Sequence, residues 1–164
     1  MLNNLKMFLF IPGLLFSVQA FAEGDDCTQL LESVRLPVDG KTYMSENTLE
    51  SRVFYKIVAR GTFQKEVIGS GDAQYAFNTK KNFTYTRCEN QPTGIIFGVQ
   101  LDAGGTSGAK VPEWGPFSAK HSYTAEIAGR EKKLTLRYQD CHASLNSGSL
   151  MIDIYKCNRR EPIR

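Results

Sequence analysis

Residues 134–157 read LTLRYQDCHASLNSGSLMIDIYKC. Two runs in this stretch, LTLRYQ and SLMIDIYK, alternate apolar and polar residues, which is the period of a strand with one buried face. The connection between them is more polar and more specialised than a hairpin needs, since it carries Asp140, His142, Asn146, Ser147 and Ser149. The stretch therefore predicts two half-buried strands joined by a polar connection with a role of its own.

The same two-residue period recurs along most of the chain. The run RVFYKIVARGTF places Val53, Tyr55, Ile57 and Ala59 on one face. Three further runs alternate in the same way: NFTYTRC with Phe83, Tyr85 and Arg87 on one face, TGIIFGVQLD with Ile95, Phe97, Val99 and Leu101, and HSYTAEIAG with Tyr123, Ala125 and Ile127. Turn-forming residues separate the runs at 37–40, 69–72, 102–105 and 128–130.

These patterns indicate the fold class. Many short strands with regular turns predict an all-β protein, a β-sandwich or jelly roll. Only Asp26–Val34, DCTQLLESV, has helical spacing, with Asp26 as the N-cap, and it predicts one short helix.

Residues 1–22 have the features of a signal peptide. Lys6 precedes the apolar run FLFIPGLLFSV, and Ala20-Phe21-Ala22 forms an A-x-A cleavage pattern. We expect cleavage by a Sec signal peptidase after Ala22 and a periplasmic or secreted product. No stretch reaches the roughly 20 apolar residues of a membrane span, so we expect no stable membrane insertion. Residues 23–164 are of the size of one domain and predict a single β-sandwich.

Charge and cysteines narrow the class of protein further. The net charge of +3, from 20 basic and 17 acidic side chains, provides no dense basic face and argues against a nucleic-acid partner. All four cysteines follow the signal peptide, and an even number in an oxidising compartment predicts two disulfides. Three pairings are formally open. We favour Cys27 with Cys157, which would tie the two ends, and Cys88 with Cys141.

The chain carries no recognisable catalytic motif. GxSxG, HExxH and CxxCH are all missing, and His121 and His142 are not set at a metal-ligand spacing. An isolated histidine such as His121 indicates a surface residue. The run DAGGTSGAK, residues 102–110, lacks GxxxxGK[ST] and predicts a loop rather than a phosphate site. We therefore predict a protein that is not an enzyme.

The polar connection is the best candidate for a ligand site. Asp140 at the end of one strand, together with Asn146 and the following serines, would bring carboxylate, amide, hydroxyl and carbonyl oxygens to one corner. Ca²⁺ takes six to eight oxygens of this kind, and a neutral sugar uses the same groups as hydrogen-bond partners, usually beside an aromatic ring. Alternatively, Asp140 and Asn146 form Asx turns that only shape the connection.

Two other residues, Trp114 and Asp72, could have a ligand role. Trp114 is the only tryptophan and lies between prolines in PEWGPF, where an exposed ring could stack on a sugar. The alternative for Trp114 is a buried ring that plugs one end of the sandwich. Asp72 could add a carboxylate near a sheet edge or could serve as a turn residue.

The order of these features resembles one family. Tyr138-Gln139-Asp140, then Leu145-Asn146-Ser147-Gly148-Ser149 and the strand LMIDIY are similar to the calcium-dependent galactose-binding lectins of the PA-I type and related bacterial extracellular domains. Upstream, the strand ending ARGTF and the order of FGVQLDAGG and VPEWGPF fit the same pattern, so the resemblance covers most of residues 23–164. It implies a jelly-roll-like sandwich of the galactose-binding-domain type, with Asp140 as a ligand of metal and sugar and Asn146 as a metal ligand.

One departure from that pattern affects the metal. Leu145 stands where the family has an acid or an amide, so one side-chain oxygen is missing and calcium binding should be weak or absent. The expected function is an exported, non-catalytic carbohydrate-binding module, with Ca²⁺ as the cofactor it could use and with Asp140, His142, Asn146 and Trp114 at the ligand. The alternative is a periplasmic protein-binding module on the same fold with a degraded metal site, such as an enzyme inhibitor, an immunity protein or an envelope-complex subunit.

Overall fold

The structure is a computed structural model that describes residues 26–65, 69–78, 83–85, 97–105 and 108–162. The predicted signal peptide and its cleavage site lie outside these ranges. Within them the chain forms strands and one 3₁₀ turn, Ala143–Leu145, and no helix is long and apolar enough to cross a membrane. The strands are β1 (Gln29–Pro37), β2 (Thr42–Leu49), β3 (Val53–Arg60), β4 (Phe63–Lys65), β5 (Gly69–Gly71), β6 (Ala76–Asn78), β7 (Phe83–Tyr85), β8 (Gly98–Asp102), β9 (Ser122–Ala128), β10 (Lys132–Gln139) and β11 (Ser149–Arg160). The prediction of an all-β protein is confirmed.

The longer strands form two antiparallel sheets. The first sheet has the order β1-β11-β3-β9, and the second has the order β2-β10-β8. Successive long strands alternate between the two sheets, because β1, β3, β9 and β11 belong to the first and β2, β8 and β10 to the second. Each connection between successive long strands therefore passes from one sheet to the other, and the polar connection between β10 and β11 is one of these crossings.

The core lies between the two sheets and follows the predicted alternation. On β3, Val53, Tyr55, Ile57 and Ala59 are buried, and the residues between them are more exposed. The other strands contribute Leu36, Leu49, Val99, Leu101, Tyr123, Ala125, Leu134, Leu136, Tyr138, Leu150, Ile152 and Ile154 to the same core. Ile127 is only partly buried, and Ile95 and the side chains of the NFTYTRC run lie outside the described residues. Burial of an aliphatic side chain of this size contributes about 1.5–3 kcal/mol, so the two inner faces hold the sheets together.

A third sheet was not predicted. Its order is β4-β5-β6-β7, and it lies in the sequence between β3 and β8. The prediction of a turn at residues 69–72 is wrong for its first three residues, because Gly69–Gly71 is β5 and pairs with both β4 and β6. Gly71 sits directly beneath the Phe63 ring, where a Cβ would overlap that ring. A glycine that reads as a turn signal is here a residue that lets an aromatic side chain pack on a strand.

The predicted helix at Asp26–Val34 is also wrong. Residues 29–34 of this segment belong to β1, which pairs with β11 from Gln29↔Lys156 to Pro37↔Ser149. A bulge between Leu30 and Glu32 breaks the strict alternation of the strand, which explains why the sequence looks helical there. Pairing with the long strand β11 overrides the local helical spacing.

The cysteines close the ends of the first sheet. Cys27, which precedes β1, forms a disulfide with Cys157, which lies within β11. This favoured pairing is therefore confirmed. Cys141 is also disulfide-bonded, and its expected partner, Cys88, lies outside the described residues.

Candidate functional site

The connection between β10 and β11 is tied to the third sheet. After β10 ends at Gln139, the chain makes the 3₁₀ turn and then runs beside β4. Ser147 and Gln64 exchange two backbone hydrogen bonds, of 3.1 Å from the Gln64 N–H and 3.0 Å from the Ser147 N–H. This bridge brings Lys65, the last residue of β4, to the predicted ligand residues. We call Lys65, Asp140 and Asn146 the Asp140 corner.

Asp140 is fully engaged inside this corner. Its side chain has no exposed surface and forms an ion pair with the Lys65 ammonium, whose side chain is 6% exposed. The Asn146 side-chain amide donates to Asp140 Oδ2 at 2.7 Å, and the Cys141 N–H donates to Oδ1 at 2.6 Å. The structure thus brings two predicted ligand residues together, as expected, but it also adds a lysine that the sequence did not indicate.

Asn146 faces the corner with its donor group. The same NH₂ that bonds Asp140 also lies 3.4 Å from the Val38 carbonyl. An amide that donates to a carboxylate offers no oxygen in that direction to a cation. Asp140 and Asn146 are therefore hydrogen-bonded to each other and do not both present oxygens to a cation.

The other two predicted ligand residues lie outside this network. His142 precedes the 3₁₀ turn, is exposed, and makes no capping hydrogen bond with its side chain. Trp114 is only 4% exposed, and its indole N–H donates to the Val99 carbonyl at 3.2 Å. Its ring packs in the main core, as the alternative interpretation of Trp114 held, and it has no open face for a sugar.

A second polar cluster centres on Asp72, which is completely buried. Asp72 Oδ1 accepts hydrogen bonds from the backbone N–H groups of Gln74, at 3.1 Å, and Tyr75, at 2.8 Å. Asp72 Oδ2 accepts from the Tyr123 hydroxyl at 2.7 Å and lies 2.8 Å from His121 Nδ1. Four hydrogen-bond partners compensate the cost of burying this carboxylate.

Tyr123 stays a donor in this cluster. Burial raises the pKa of its phenol, a hydrogen bond from the Ser118 N–H opposes the rise, and the Asp72 carboxylate raises the pKa further, to well above its usual range. The phenol therefore remains protonated and donates to Asp72 at any physiological pH.

His121 is fixed by Asp72 on one side and by aromatic rings on the other. Its ring stacks on Phe77 with centroids 4.7 Å apart and planes 8° apart, and it meets Phe117 edge-on at 5.5 Å. Phe117 also contacts Phe77 at 5.6 Å and Tyr75 at 5.5 Å. We call Tyr75, Phe77, Phe117 and His121 the aromatic patch.

The aromatic patch is partly open to solvent. Phe117 is 41% exposed, and the His121 side chain is 23% exposed. With Nδ1 held by Asp72, the imidazole has Nε2 left for an external partner, the arrangement that orients histidines in many sites. The prediction that His121 is a surface residue within a strand misses its contact with the buried Asp72 carboxylate. The residue also lies just before β9 and not within it, with a φ of 48°. Among the described residues, no serine, threonine or tyrosine hydroxyl and no cysteine thiol donates a hydrogen bond to the His121 imidazole.

A cleft of about 540 Å³ lies between the edge strands β8 and β9. Its apolar wall includes Phe54, Leu101 and Ile127, and none of the predicted ligand residues lines it. On its rim Arg130 and Glu161 form a bidentate ion pair, with Arg130 Nη2 2.9 Å from Glu161 Oε1. These two rim charges are engaged with each other, and Asp102, Lys110, Glu113 and Glu126 also line the cleft.

The sequence contains one clue to the Asp72 cluster. Asp72 follows Gly-Ser-Gly and precedes Ala-Gln-Tyr, which allows its side chain to turn back onto the next N–H groups. Nothing local links Asp72 to His121, because Asp72 follows β5, which pairs with β4, and His121 precedes β9, which pairs with β3. Comparison of the chain with protein-family models, curated proteins and solved structures finds no match.

Proposed function

We propose that this chain is an exported, non-catalytic carbohydrate-binding module on a jelly-roll frame, and that it binds through the aromatic patch without calcium. The alternation of successive long strands between two sheets supports the jelly roll. An isolated antiparallel bridge between Leu101 and Lys110 lies beside β8, where a fourth strand of the second sheet would lie. One fold can carry many unrelated functions, so the ligand depends on the site and not on the fold.

The observation that carries the proposal is the exposed Phe117 ring beside the anchored His121 imidazole. Phe117 packs on three other rings of the patch, which hold it in place without covering it. A fixed, partly exposed aromatic ring is suited to contact with the apolar face of a sugar, and it loses little side-chain entropy on binding.

His121 provides the polar part of the site. Asp72 holds Nδ1, so Nε2 is the atom that exchanges a hydrogen bond with a sugar hydroxyl. A ring face and a directed hydrogen-bonding atom side by side are what recognition of a neutral sugar requires. In the Asp140 corner, in contrast, the carboxylate is already bound to Lys65 and Asn146.

A glycan array with the disulfide-intact protein tests this function. We expect binding to a defined set of glycans, equal in calcium and in EDTA. Phe117→Ala should weaken binding about tenfold, because a stacking contact of this kind contributes about 0.5–1.5 kcal/mol beyond its buried area. Phe117→Tyr should retain binding, and Leu145→Ala, at an exposed apolar residue of similar accessibility, should leave it unchanged. No binding to any glycan, with or without calcium, would overturn the proposal.

A protein-binding module is the second candidate, and one observation favours it. Leu30 and Met44 are 52% and 64% exposed on β1 and β2, which are edge strands of the two sheets. Exposed apolar side chains on sheet edges are common at protein contacts. A stoichiometric protein complex that survives EDTA and free sugar, and that Met44→Lys dissociates while Phe117→Ala does not, would support this candidate instead.

A further inference from the structure

The Asp140 corner is built around one buried positive charge. The bridge between Gln64 and Ser147 fixes the end of β4 against the crossing connection. This places the Lys65 ammonium on Asp140 Oδ2 and 4.5 Å from the centre of the Phe97 ring. The lysine side chain is 6% exposed and the aspartate side chain 0%. Both charges are thus withdrawn from water and compensated by each other.

A divalent cation does not fit beside this ammonium. Calcium would need Asp140 Oδ2 and further oxygens at about 2.3–2.6 Å, but that oxygen already receives Lys65 and the Asn146 amide. A second positive charge within a few ångströms of the ammonium would be repelled in a site of low effective dielectric. The one group of three His, Cys, Asp or Glu residues that could hold a metal within the described ranges is Asp26 with Cys27 and Cys157, whose sulfurs form a disulfide and provide no thiolate.

We propose that Lys65 is a built-in replacement for a metal ion at this corner. Its ammonium supplies the positive charge that Asp140 requires and makes the corner independent of divalent cations. Removal of the lysine side chain, with space left behind, leaves the Asp140 carboxylate open to a cation. This inference concerns the corner alone and does not rest on the ligand of the aromatic patch.

Calcium-dependent thermal unfolding of three proteins tests the inference. After EDTA treatment, the wild type should melt at the same temperature with and without CaCl₂. Lys65→Ala should melt at a lower temperature, and CaCl₂ should raise it by about 5–10 °C at concentrations 100 times Kd, because binding to the folded state alone stabilises it. Lys65→Met removes the charge but fills the space, so it should be destabilised and gain nothing from CaCl₂.

The double variant Lys65→Ala/Asp140→Asn locates the effect, since it should lose the calcium response of Lys65→Ala. If Lys65→Ala fails to fold, refolding in 10 mM CaCl₂ replaces the melt, with recovery expected for Lys65→Ala alone. A wild type that calcium stabilises reversibly, with the effect lost in Asp140→Asn, would overturn the inference. A Lys65→Ala protein that calcium neither stabilises nor helps to refold would overturn it as well.

Discussion

The Asp72 carboxylate and the His121 imidazole form a hydrogen-bonded pair across the structure, with Asp72 Oδ2 2.8 Å from His121 Nδ1. The carboxylate is inaccessible to solvent, whereas the imidazole reaches the surface. The pair therefore links a buried polar network to the aromatic patch. Any change in the carboxylate should affect stability and the orientation of the imidazole together.

Asp72→Asn tests the stabilising part of this network. Asparagine keeps one acceptor oxygen, so two of the four donors around Asp72 lose their acceptor and face an NH₂ group. Because each donor left unsatisfied costs about 1–3 kcal/mol, we expect the free energy of unfolding to fall by about 2–4 kcal/mol in urea denaturation.

Asp102→Asn is the matched control. Asp102 accepts one hydrogen bond, from the Gly104 N–H at 2.6 Å, in a turn that is partly exposed. We expect a loss within about 1 kcal/mol there. Equal urea midpoints for the two variants would contradict the central role given to Asp72.

The Cys27–Cys157 disulfide should be a major source of stability. It joins residues separated by 130 positions, and in the chain-entropy model a closed loop of this length raises the free energy of unfolding by about 5 kcal/mol. Cys27→Ser/Cys157→Ser should therefore lower Tm by roughly 10–20 °C, as measured by calorimetry. The other cysteines stay untouched in this variant, which separates its effect from general reduction. A change in Tm of less than about 3 °C would show that the ends of the first sheet hold without the bond.

The sequence predicts those parts of the fold that neighbouring residues determine, and it fails for those that depend on partners far away along the chain. Val53, Tyr55, Ile57 and Ala59 lie on one buried face because a half-buried strand imposes its period locally. The prediction of a helix at Asp26–Val34 is wrong because the pairing of β1 with β11, more than 100 residues away, decides the conformation of this segment. Local pattern carries no information about that partner.

The same distinction applies to the candidate site. Asp140 and Asn146 are six residues apart in one connection, so their contact could be predicted. Lys65 is 75 residues from Asp140, and only the bridge from β4 to the connection brings it there. The long-range partner changes the chemistry of the corner, because its ammonium pairs with the Asp140 carboxylate that the local pattern offers to a cation.

Gly71→Ala tests the close packing of the third sheet on the core. A Cβ at Gly71 would overlap the ring of Phe63, which is 5% exposed and packs edge-on against Tyr138 with centroids 4.8 Å apart. The ring has little room to move, so we expect a loss of about 1–3 kcal/mol in the free energy of unfolding. Ser70→Ala, one residue earlier on the same strand, should cost much less because that side chain lies on the more accessible face. A Gly71→Ala protein as stable as Ser70→Ala would show that Phe63 can repack freely.

Asp153 should make the stability of the first sheet depend on acid pH. Burial would raise the pKa of its carboxyl, but hydrogen bonds from Arg60, at 2.8 Å, and Ser33, at 2.6 Å, together with the charge of Arg60, outweigh burial and hold the pKa below its usual value of 3.8. A carboxyl whose pKa is lower in the folded chain stabilises the fold above its ordinary pKa, and this stabilisation is lost as the pH falls through the folded value. We therefore expect the free energy of unfolding to decrease from pH 5 to pH 2.5 in urea titrations.

Asp153→Asn should be less stable at pH 7, by about 1–2 kcal/mol, and should show a shallower decrease over the same range. Glu46→Gln, at an exposed site on β2, should keep the slope of the wild type, and an unchanged slope in Asp153→Asn would assign the acid sensitivity to other carboxyl groups.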